Sequence, residues 1–387
     1  MIYDIAIIGA GASGLMFASQ LNNVKNKKVI LIDSNVKMGE KIKVSGGAKC
    51  NITNEYVSCE NYLGNQEFVQ KTLDKFTKDD LLKFLNKNGV HPKINAKIVK
   101  GTYFCNASSE VISMFSKLLG NVKLSLNTNV QEIKYDNKFV LQTSKGKIEA
   151  KKLIVASGGL SFASLGASSI AFDTAREFGH TIKALNPALV GFTVQKEQFW
   201  FKNLSGLSFD VQLSVENKVF EGGLLFAHKG CSGPVILNAS LYWKKGKMSI
   251  NFLPNKKLGQ LCKSNKLISS ALPLPKRFMT EFLKSVELTD QPISKLNTED
   301  FNKLKTLQNY EFSPAGNFGY SKAEVTKGGV CVDEINIKDM QSKKQKDLYF
   351  LGEALDVTGE LGGYNFQWAF ASAYVCAKNI VDTKTKA

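Results

Sequence analysis

The chain has 387 residues, of which 43% are hydrophobic and 22% are charged, so its composition excludes a disordered protein and its length predicts two domains or one domain with an insert. It holds no run of the roughly 18 apolar residues that a membrane span needs, and its apolar start lacks a basic leader, so we expect a cytoplasmic protein without a signal peptide. Seven cysteines without a C-x-x-C pair predict no metal site. A net charge of +17 can bind a polyanionic partner, with nucleic acid as the main candidate.

The first 33 residues have the order strand, glycine-rich turn, helix, strand and acid. Ile2–Ile8 is an apolar run that predicts a buried strand, and the pattern G-x-G-x-x-G follows it directly. A helix and the strand Val29–Ile32 then lead to an aspartate at the position where a carboxylate accepts from the ribose of a dinucleotide, whose pyrophosphate would lie on the helix N-terminus. The alternative is a glycine-rich turn in another kind of α/β protein. The dinucleotide contacts predicted here are Gly9, Gly11, Ala12, Ser13, Gly14 and Asp33.

Residues 39–54 are too polar and too rich in glycine for a core element and predict a loop. Its backbone N–H groups and lysines suit the phosphates and ribityl chain of a bound dinucleotide. Cys50 in this loop is either a reactive thiol near the cofactor or a small buried residue, and the second interpretation is preferred. The cofactor contacts predicted in this loop are Lys41, Ser45, Gly46, Gly47, Cys50 and Asn51.

Between residues 60 and 187, helical patterns alternate with strand patterns. The runs Val122–Leu126, Val130–Tyr135 and Phe139–Thr143 predict strands of a small sheet. Lys151–Gly159 predicts a further buried strand, and its carboxyl end would bring Ser157 and Gly158 to the nucleotide. The helices predicted in this part of the chain are Phe68–Phe76, Leu81–Asn88, Val111–Leu119 and Ala171–Phe178.

From about Leu189 the pattern changes to alternating strands with glycine and asparagine turns, which predict an antiparallel sheet or small barrel. Ser232 is expected to cap a helix that begins near Pro234. His228, just before it, is either a proton donor or anion contact, or a structural residue of the turn. Residues 256–310 are lysine-rich and helical in character. The strands predicted are Gly191–Val194, Leu207–Val215, Lys218–Leu225 and Met248–Phe252.

The segment from Ala323 onward returns to the character of a nucleotide-binding domain. Leu348–Glu353 predicts a buried strand with an acid at its tip, and a glycine-rich stretch and a helix that reaches Ile380 follow. The N-terminus of that helix can stabilise negative charge on a reduced flavin ring, so this segment is suited to complete a flavin site. The contacts predicted in it are Gly352, Glu353, Gly362, Gly363, Tyr364 and Asn365.

Taken together, these motifs resemble the bacterial BaiN/YhiN-like flavoproteins, NAD(P)/FAD-dependent oxidoreductases of the aminoacetone-oxidase type. The resemblance covers nearly the whole chain and is carried by GAGASG, SGGAKCNITN, LLFAHKGCSGPVILNASLYW, AEVTKGGV and LYFLGEALDVTGELGGYNFQWAFASAYV. It implies an α/β fold with one tightly bound FAD: an FAD-binding Rossmann-like domain of the glutathione-reductase type, residues 1–187 and 322–387, interrupted by a β-barrel-like insert, residues 188–321, with a helical subdomain at 256–310. Ala48 and Lys49 depart from the family, which typically has glycine and arginine there.

The resemblance implies more than one reaction. Family members have been associated with reduction of conjugated bile-acid enones, with oxidation of small amines, and with dihydrouridine formation in large-subunit ribosomal RNA, the last by a 23S rRNA dihydrouridine synthase. In the first and third reactions, hydride from flavin N5 reaches the β-carbon of a C=C bond conjugated to a carbonyl, and an acid protonates the α-carbon. Candidate acids here are Cys50, His228 and Tyr364. No second G-x-G-x-x-G is visible, so NAD(P)H is expected to act as a transient donor.

Three functions therefore stay open. The preferred hypothesis is NAD(P)H-driven reduction of uridine in large-subunit ribosomal RNA, because the lysines of the insert could hold phosphates. The alternatives are a small-molecule enone reductase or O₂-using amine oxidase, and a non-catalytic FAD-containing RNA-binding protein. Since only Arg176 and Arg277 are arginines, the positive charge can also reflect nucleotide bias in the genome. The sequence does not predict an oligomeric state.

Overall fold

A computed structural model describes residues 1–21, 27–94 and 99–382. Its contacts group the chain into two compact units, Met1–Pro187 with Ala323–Ala387, here called the main unit, and Ala188–Lys322, here called the inserted unit. Within the described residues, no helix has both the length and the apolar composition needed to cross a membrane. The same residues contain no group of three or more His, Cys, Asp or Glu side chains placed to hold a metal ion.

The described residues form the following elements in chain order. The strands are β1 (Ile2–Ile8), β2 (Val29–Ile32), β3 (Asn51–Asn54), β4 (Tyr62–Gly64), β5 (Lys93–Ile94), β6 (Thr102–Phe104), β7 (Lys123–Ser125), β8 (Val130–Tyr135), β9 (Phe139–Thr143), β10 (Gly146–Val155), β11 (Ile182–Ala188), β12 (Phe192–Val194), β13 (Ser208–Val215), β14 (Lys218–Ala227), β15 (Gly230–Ser232), β16 (Met248–Asn251), β17 (Tyr310–Phe312), β18 (Pro314–Asn317), β19 (Val325–Val330), β20 (Leu348–Phe350) and β21 (Val357–Gly359). The α-helices are α1 (Ala12–Ser19), α2 (Glu40–Ala48), α3 (Gln66–Leu73), α4 (Lys78–Lys87), α5 (Ser108–Leu118), α6 (Ile170–Glu177), α7 (Pro234–Tyr242), α8 (Leu258–Leu261), α9 (Ile268–Ala271), α10 (Lys276–Ser285), α11 (Thr298–Lys305) and α12 (Tyr364–Asp382).

The main unit is built on a mixed sheet with β1 near its centre. The strand order is β7-β2-β1-β10-β9-β8, and β20 pairs with the carboxyl-terminal part of β10. β1 runs parallel to both of its neighbours, and Ile5 to Ile8 are at most 4% exposed. A parallel strand that is covered on both faces needs such a continuous apolar run. The carboxyl ends of β1, β2, β10 and β20 therefore lie at one edge of the sheet.

Two predictions for the main unit are wrong. Residues 122–126 were expected in a small sheet, but β7 pairs in parallel with β2 at the edge of the large sheet, and β8 and β9 extend that sheet through β10. Residues 39–54 were expected to be a loop, but they contain α2 and β3, and Thr53 and Asn54 in β3 are fully buried. The helices predicted between residues 60 and 187 are confirmed, with ends shifted by at most three residues.

The inserted unit is a curled antiparallel sheet. Its strand order is β17-β16-β13-β14-β15-β12-β18, with antiparallel pairing throughout. β17 and β18 stand at opposite ends of this order, yet only Ser313 separates them in the chain. The sheet must therefore curl until its two edges approach each other. This confirms the predicted antiparallel sheet or small barrel.

The aromatic side chains of α10 pack against this curled sheet. Phe278 and Phe282 of α10 are fully buried, and the Phe278 ring centre lies 4.9 Å from that of Phe209 and 4.7 Å from that of Phe252.

The prediction that Ser232 caps α7 is wrong: Gly233 is the N-cap, and no side chain caps the helix. Ser232 belongs to β15 and pairs with Leu225 of β14, so it lies one residue before the position that caps α7.

A buried polar cluster joins α6 to the segment before β20. Ser342 Oγ accepts hydrogen bonds from the N–H groups of Lys344 at 3.0 Å and Gln345 at 2.9 Å, and donates to His180 Nε2 at 2.6 Å. His180 Nδ1 lies 3.2 Å from Glu334 Oε2 without the alignment of a hydrogen bond. Burial lowers the pKa of His180, against the opposing effect of Glu334, so the ring is neutral.

Replacing Ser342 tests this cluster. Ser342→Ala leaves two backbone N–H groups and His180 Nε2 without their partner, so we expect the free energy of unfolding to fall by about 2 kcal/mol or more. The measurement is urea unfolding followed by circular dichroism. The control is Ser144→Ala, because exposed Ser144 accepts a single backbone hydrogen bond, and we expect a loss of about 0.5 kcal/mol. Equal losses in the two variants would contradict a special role for Ser342.

Candidate cofactor-binding site

The first strand-to-helix turn leaves no room for side chains. A Cβ on Gly14 would lie 1.8 Å from the Gly9 carbonyl oxygen, and a Cβ on Gly9 would lie 2.4 Å from the carbonyl oxygen of Ala156, directly after β10. Gly9 also has a φ of +103°, which side-chain-bearing residues rarely adopt. The start of α1 therefore packs directly against the tips of two parallel strands.

Gly11 faces open space at the N-terminus of α1. It is the N-cap of this helix, and a Cβ on it would meet no atom of the described residues within 4 Å. No side chain caps α1, and its first turn holds no acidic residue. The N–H groups of the first turn are therefore left for an anion from outside, and they are aided by the positive end of the helix dipole.

Asp33 is fixed beside this turn by the backbone. The N–H of Ala10 donates to Asp33 Oδ2 at 2.6 Å, and the N–H of Asn35 donates to Asp33 Oδ1 at 2.8 Å. Each carboxylate oxygen keeps a second lone pair. The carboxylate can therefore accept from the hydroxyls of a ribose while these two backbone bonds hold its orientation.

The loop after β10 presents a polar atom without a partner. Ser157 Oγ is buried and makes no hydrogen bond within the described residues. Gly158 has a φ of +77°, and a Cβ on it would meet no atom within 4 Å of those residues. By contrast, a Cβ on Gly159 would lie 2.6 Å from Thr326 Oγ1 and 2.8 Å from Glu353 Oε1. Gly158 thus borders open space, while Gly159 anchors the loop to the C-terminal segment.

An ion pair joins α2 to the end of β20. Lys41 Nζ lies 2.6 Å from Glu353 Oε2, and Glu353 Oε1 accepts from the N–H of Thr326 at 2.9 Å. The two charged side chains are 36% and 20% exposed, so the pair is partly buried.

The loop at residues 45–51 has an unusual backbone. Gly46, Gly47 and Ala48 have φ values of +57°, +63° and +67°, and they interrupt the helical geometry of α2. A Cβ on Gly46 would lie 2.1 Å from Asn51 Oδ1. That amide oxygen is buried and makes no hydrogen bond with the described part of the chain. Asn51, like Ser157, thus offers a buried polar atom for a ligand.

Cys50 is fully buried, which confirms the preferred interpretation of this residue. Burial raises the pKa of its thiol to about 12, although a hydrogen bond with Ser45 acts in the opposite direction. Cys105 is 3% exposed, and burial likewise raises its pKa to about 12. Both thiols are therefore protonated at neutral pH and do not have the thiolate character of reactive cysteines.

The C-terminal glycine pair packs on β3. A Cβ on Gly363 would lie 2.4 Å from the Thr53 carbonyl oxygen. The Asn365 amide closes the preceding turn, since it accepts from the N–H of Gly359 at 2.8 Å and donates to the carbonyl of Gly359 at 2.8 Å. Tyr364 is 6% exposed, its ring packs edge-on against Tyr62 at 6.0 Å, and burial raises its pKa.

These contacts gather most of the predicted residues at one edge of the main unit. A Cβ on Gly352 would lie 2.1 Å from Ser13 Oγ, so the end of β20 lies against the first turn of α1. The N–H of Gly39 donates to the carbonyl of Ala10 at 2.9 Å, which brings α2 to the same turn. His228 belongs to the inserted unit, where it is exposed at the turn between β14 and β15.

Sequence analysis missed three polar residues that support the site. Thr326 Oγ1 accepts from the N–H of Leu160 at 2.8 Å. Asn54 Nδ2 donates to the carbonyl of Gly362 at 3.0 Å, and Gln367 Oε1 accepts from Thr53 Oγ1 at 2.8 Å. The three residues lie inside the motifs AEVTKGGV, SGGAKCNITN and GGYNFQW. Their polar character within these motifs was the sequence signal that could have identified them as residues of the site.

Comparison with known proteins gives consistent matches over almost the whole chain. A family model described as the HI0933-like protein Rossmann domain matches residues 3–379. The chain is 37% identical to a ribosomal RNA dihydrouridine synthase of Escherichia coli (strain K12), over 99% of each chain. It is 28% identical to a 3-dehydro-bile acid delta(4,6)-reductase of Clostridium scindens, over 97% of this chain and 98% of the relative. Among solved structures, a 3-ketosteroid delta1-dehydrogenase from Sterolibacterium denitrificans has a TM-score of 0.52 at 11% identity, over 99% of this chain and 100% of that chain, which shows a shared fold.

Ala48 offers a test of the strained loop. Its φ of +67° disfavours a residue with a Cβ, and its side chain is exposed, so Ala48→Gly loses no packing. We expect the free energy of unfolding to rise by about 0.5–1 kcal/mol. Ala184→Gly, at an exposed position of β11 without positive φ, should lower it by a similar amount. Thermal denaturation of both variants measures the change in stability. A destabilised Ala48→Gly protein would contradict the inference that the backbone is strained at residue 48.

Proposed function

The chain belongs to the HI0933-like family, and from that membership we propose that it is an FAD-dependent oxidoreductase that reduces uridine in large-subunit ribosomal RNA to dihydrouridine. The observation that carries the proposal is the match to a ribosomal RNA dihydrouridine synthase along nearly the full length of both chains. Such an enzyme would work in the cytoplasm. A small-molecule enone reductase is the second candidate, and the match to a bile-acid reductase favours it. Both reactions saturate a C=C bond conjugated to a carbonyl, so they need the same kind of site.

The residues at the edge of the main unit fit FAD. The open N-terminus of α1 at Gly11 suits a pyrophosphate, and the Asp33 carboxylate suits the adenosine ribose. Ser157 Oγ and Asn51 Oδ1 are buried polar atoms without a hydrogen-bond partner among the residues that the structure describes, and a polar ligand would satisfy them. We propose that the loop at 45–51 and the segment at 362–365 hold the flavin end, and that NAD(P)H is a transient donor.

The reaction needs a hydride at C6 of uracil and a proton at C5. Bound reduced flavin supplies the hydride. We propose Tyr364 as the proton donor, because it begins α12 beside Gly362 and Gly363, and its neutral phenol retains its proton until a carbanion forms. Cys50, at 0% exposed, has less access to a substrate. His228 of the inserted unit stays an alternative donor.

Gly11→Asp separates cofactor binding from folding. Aspartate is a favourable N-cap, and the side chain would enter open space, so we expect the variant to fold with the thermal midpoint of the flavin-free wild-type protein. Its negative charge at the proposed phosphate position should lower the flavin content at least about tenfold. Absorbance near the flavin band measures this content. The contrasting variant is Gly14→Ala, which should fail to fold because its Cβ would overlap the Gly9 carbonyl oxygen. A Gly11→Asp protein with full flavin content would contradict the proposed site.

The substrate is tested with purified protein, NADPH or NADH, and an unmodified transcript of large-subunit ribosomal RNA. We expect mass spectrometry of digested RNA to show dihydrouridine at one position, and a strain without the gene to lack it. Tyr364→Phe should lower the yield at least about a hundredfold while nicotinamide-driven reduction of the flavin continues. Tyr374→Phe, which removes the hydroxyl of a ring stacked on Phe76, is the matched control. Unchanged RNA together with rapid turnover of a small enone would favour the second candidate.

A further inference from the structure

The inserted unit contains a long segment without negative charge, residues 222–280. These 59 residues include nine lysines and one arginine but no aspartate or glutamate. The other 328 residues hold all 34 acidic residues, about one in ten, so a segment of this length would ordinarily hold about six. A lysine-rich genome explains the lysines but not the missing acids. The charge of this segment is therefore a feature in its own right.

The basic side chains of residues 222–280 are available to a partner. All ten are exposed. Of these ten, only Lys247 has a carboxylate within 4 Å in the described part of the chain, that of Glu311 at 2.5 Å. They lie on the turn after β14, on the loops at both ends of β16, and around α8, α9 and the start of α10. The ten are Lys229, Lys244, Lys245, Lys247, Lys256, Lys257, Lys263, Lys266, Lys276 and Arg277.

An exposed aromatic ring lies close to the end of this segment. Phe199 is 46% exposed, and Lys202 Nζ lies 3.5 Å from its ring centre. Arg277 donates hydrogen bonds to the carbonyl oxygens of Asn203 and Ser205, which ties the start of α10 to the turn that follows Phe199. An exposed aromatic ring beside a cation is an arrangement on which unpaired bases stack.

We infer that residues 222–280 and Phe199 form an RNA-binding surface, on which the exposed lysines contact phosphates and Phe199 stacks an unpaired base. The identity of the polyanion as RNA rests on the proposed function. An anionic membrane is less suitable, because a membrane-binding helix needs a free apolar face, and the apolar face of α10 is buried with Phe278 and Phe282. Single-stranded RNA uses both features of the surface, the charge and the ring.

The test measures binding separately from catalysis. The full-length wild-type protein and a variant with Lys244, Lys245, Lys256 and Lys257 changed to glutamine are titrated into a fluorescent single-stranded fragment of large-subunit ribosomal RNA at several salt concentrations. We expect weaker binding, and a slope of log affinity against log salt that is smaller by up to about 3. The matched control changes four exposed lysines of the main unit, Lys83, Lys87, Lys117 and Lys145, to glutamine and should leave the slope nearly unchanged. Phe199→Ala should weaken binding at least about fivefold with little change in slope.

Each outcome decides the inference. An equal loss of RNA affinity in the two lysine variants would overturn the inference, because binding would then depend on net charge alone. An unaffected RNA affinity together with lost binding to vesicles of phosphatidylglycerol would also overturn it and would assign the segment to a membrane surface. If the variants behave as expected but the wild-type enzyme reduces no uridine, the surface is supported and the proposed function fails. Flavin content and nicotinamide oxidation, measured in every variant, show that the main unit is intact.

Discussion

The main unit depends on one contact that excludes side chains, the approach of α1 to the tips of β1 and β10. Gly14 lies against the carbonyl of Gly9, and Gly9 lies against Ala156, at separations that no Cβ permits. Protein interiors are close-packed, so a methyl group here would displace the helix rather than be absorbed. Gly352 at the end of β20 lies equally close to Ser13 in the first turn of α1, so a displacement of α1 would move the end of β20 as well. The position of the open helix N-terminus therefore follows from backbone packing.

Buried polar groups around this contact are of two kinds. Asn54, Thr53 and Gln367 are satisfied by one another and by backbone carbonyls, which is the rule for buried polar atoms because an unmade hydrogen bond costs about 1–3 kcal/mol. Ser157 Oγ and Asn51 Oδ1 break that rule within the described residues. Both belong to loops that also hold glycines with open space above them. A polar ligand at these loops removes both exceptions, and this is the strongest physical argument for a cofactor at this edge.

Sequence reasoning succeeded where the signal is local. An apolar run and the spacing of glycines specify β1, the turn, α1 and β2, because each residue acts on its neighbours in the chain. β3 was missed because its burial depends on distant partners: Thr53 bonds to a residue 314 positions away. The place of β7 beside β2 likewise depends on tertiary pairing that its own residues do not encode. Partnerless atoms such as Ser157 Oγ cannot be recognised from sequence at all, since they are defined by what surrounds them.

The two units rely on different physics. In the main unit, selection of the cofactor rests on excluded volume, oriented N–H groups and buried hydrogen bonds, and salt screens such short-range contacts weakly. In the inserted unit, the exposed lysines of residues 222–280 act through electrostatic attraction, which falls off within about 8–10 Å at physiological salt. Moderate salt should thus weaken the hold on a polyanion while the cofactor stays bound. An enzyme organised in this way can keep its flavin through many cycles while it releases each large, charged product.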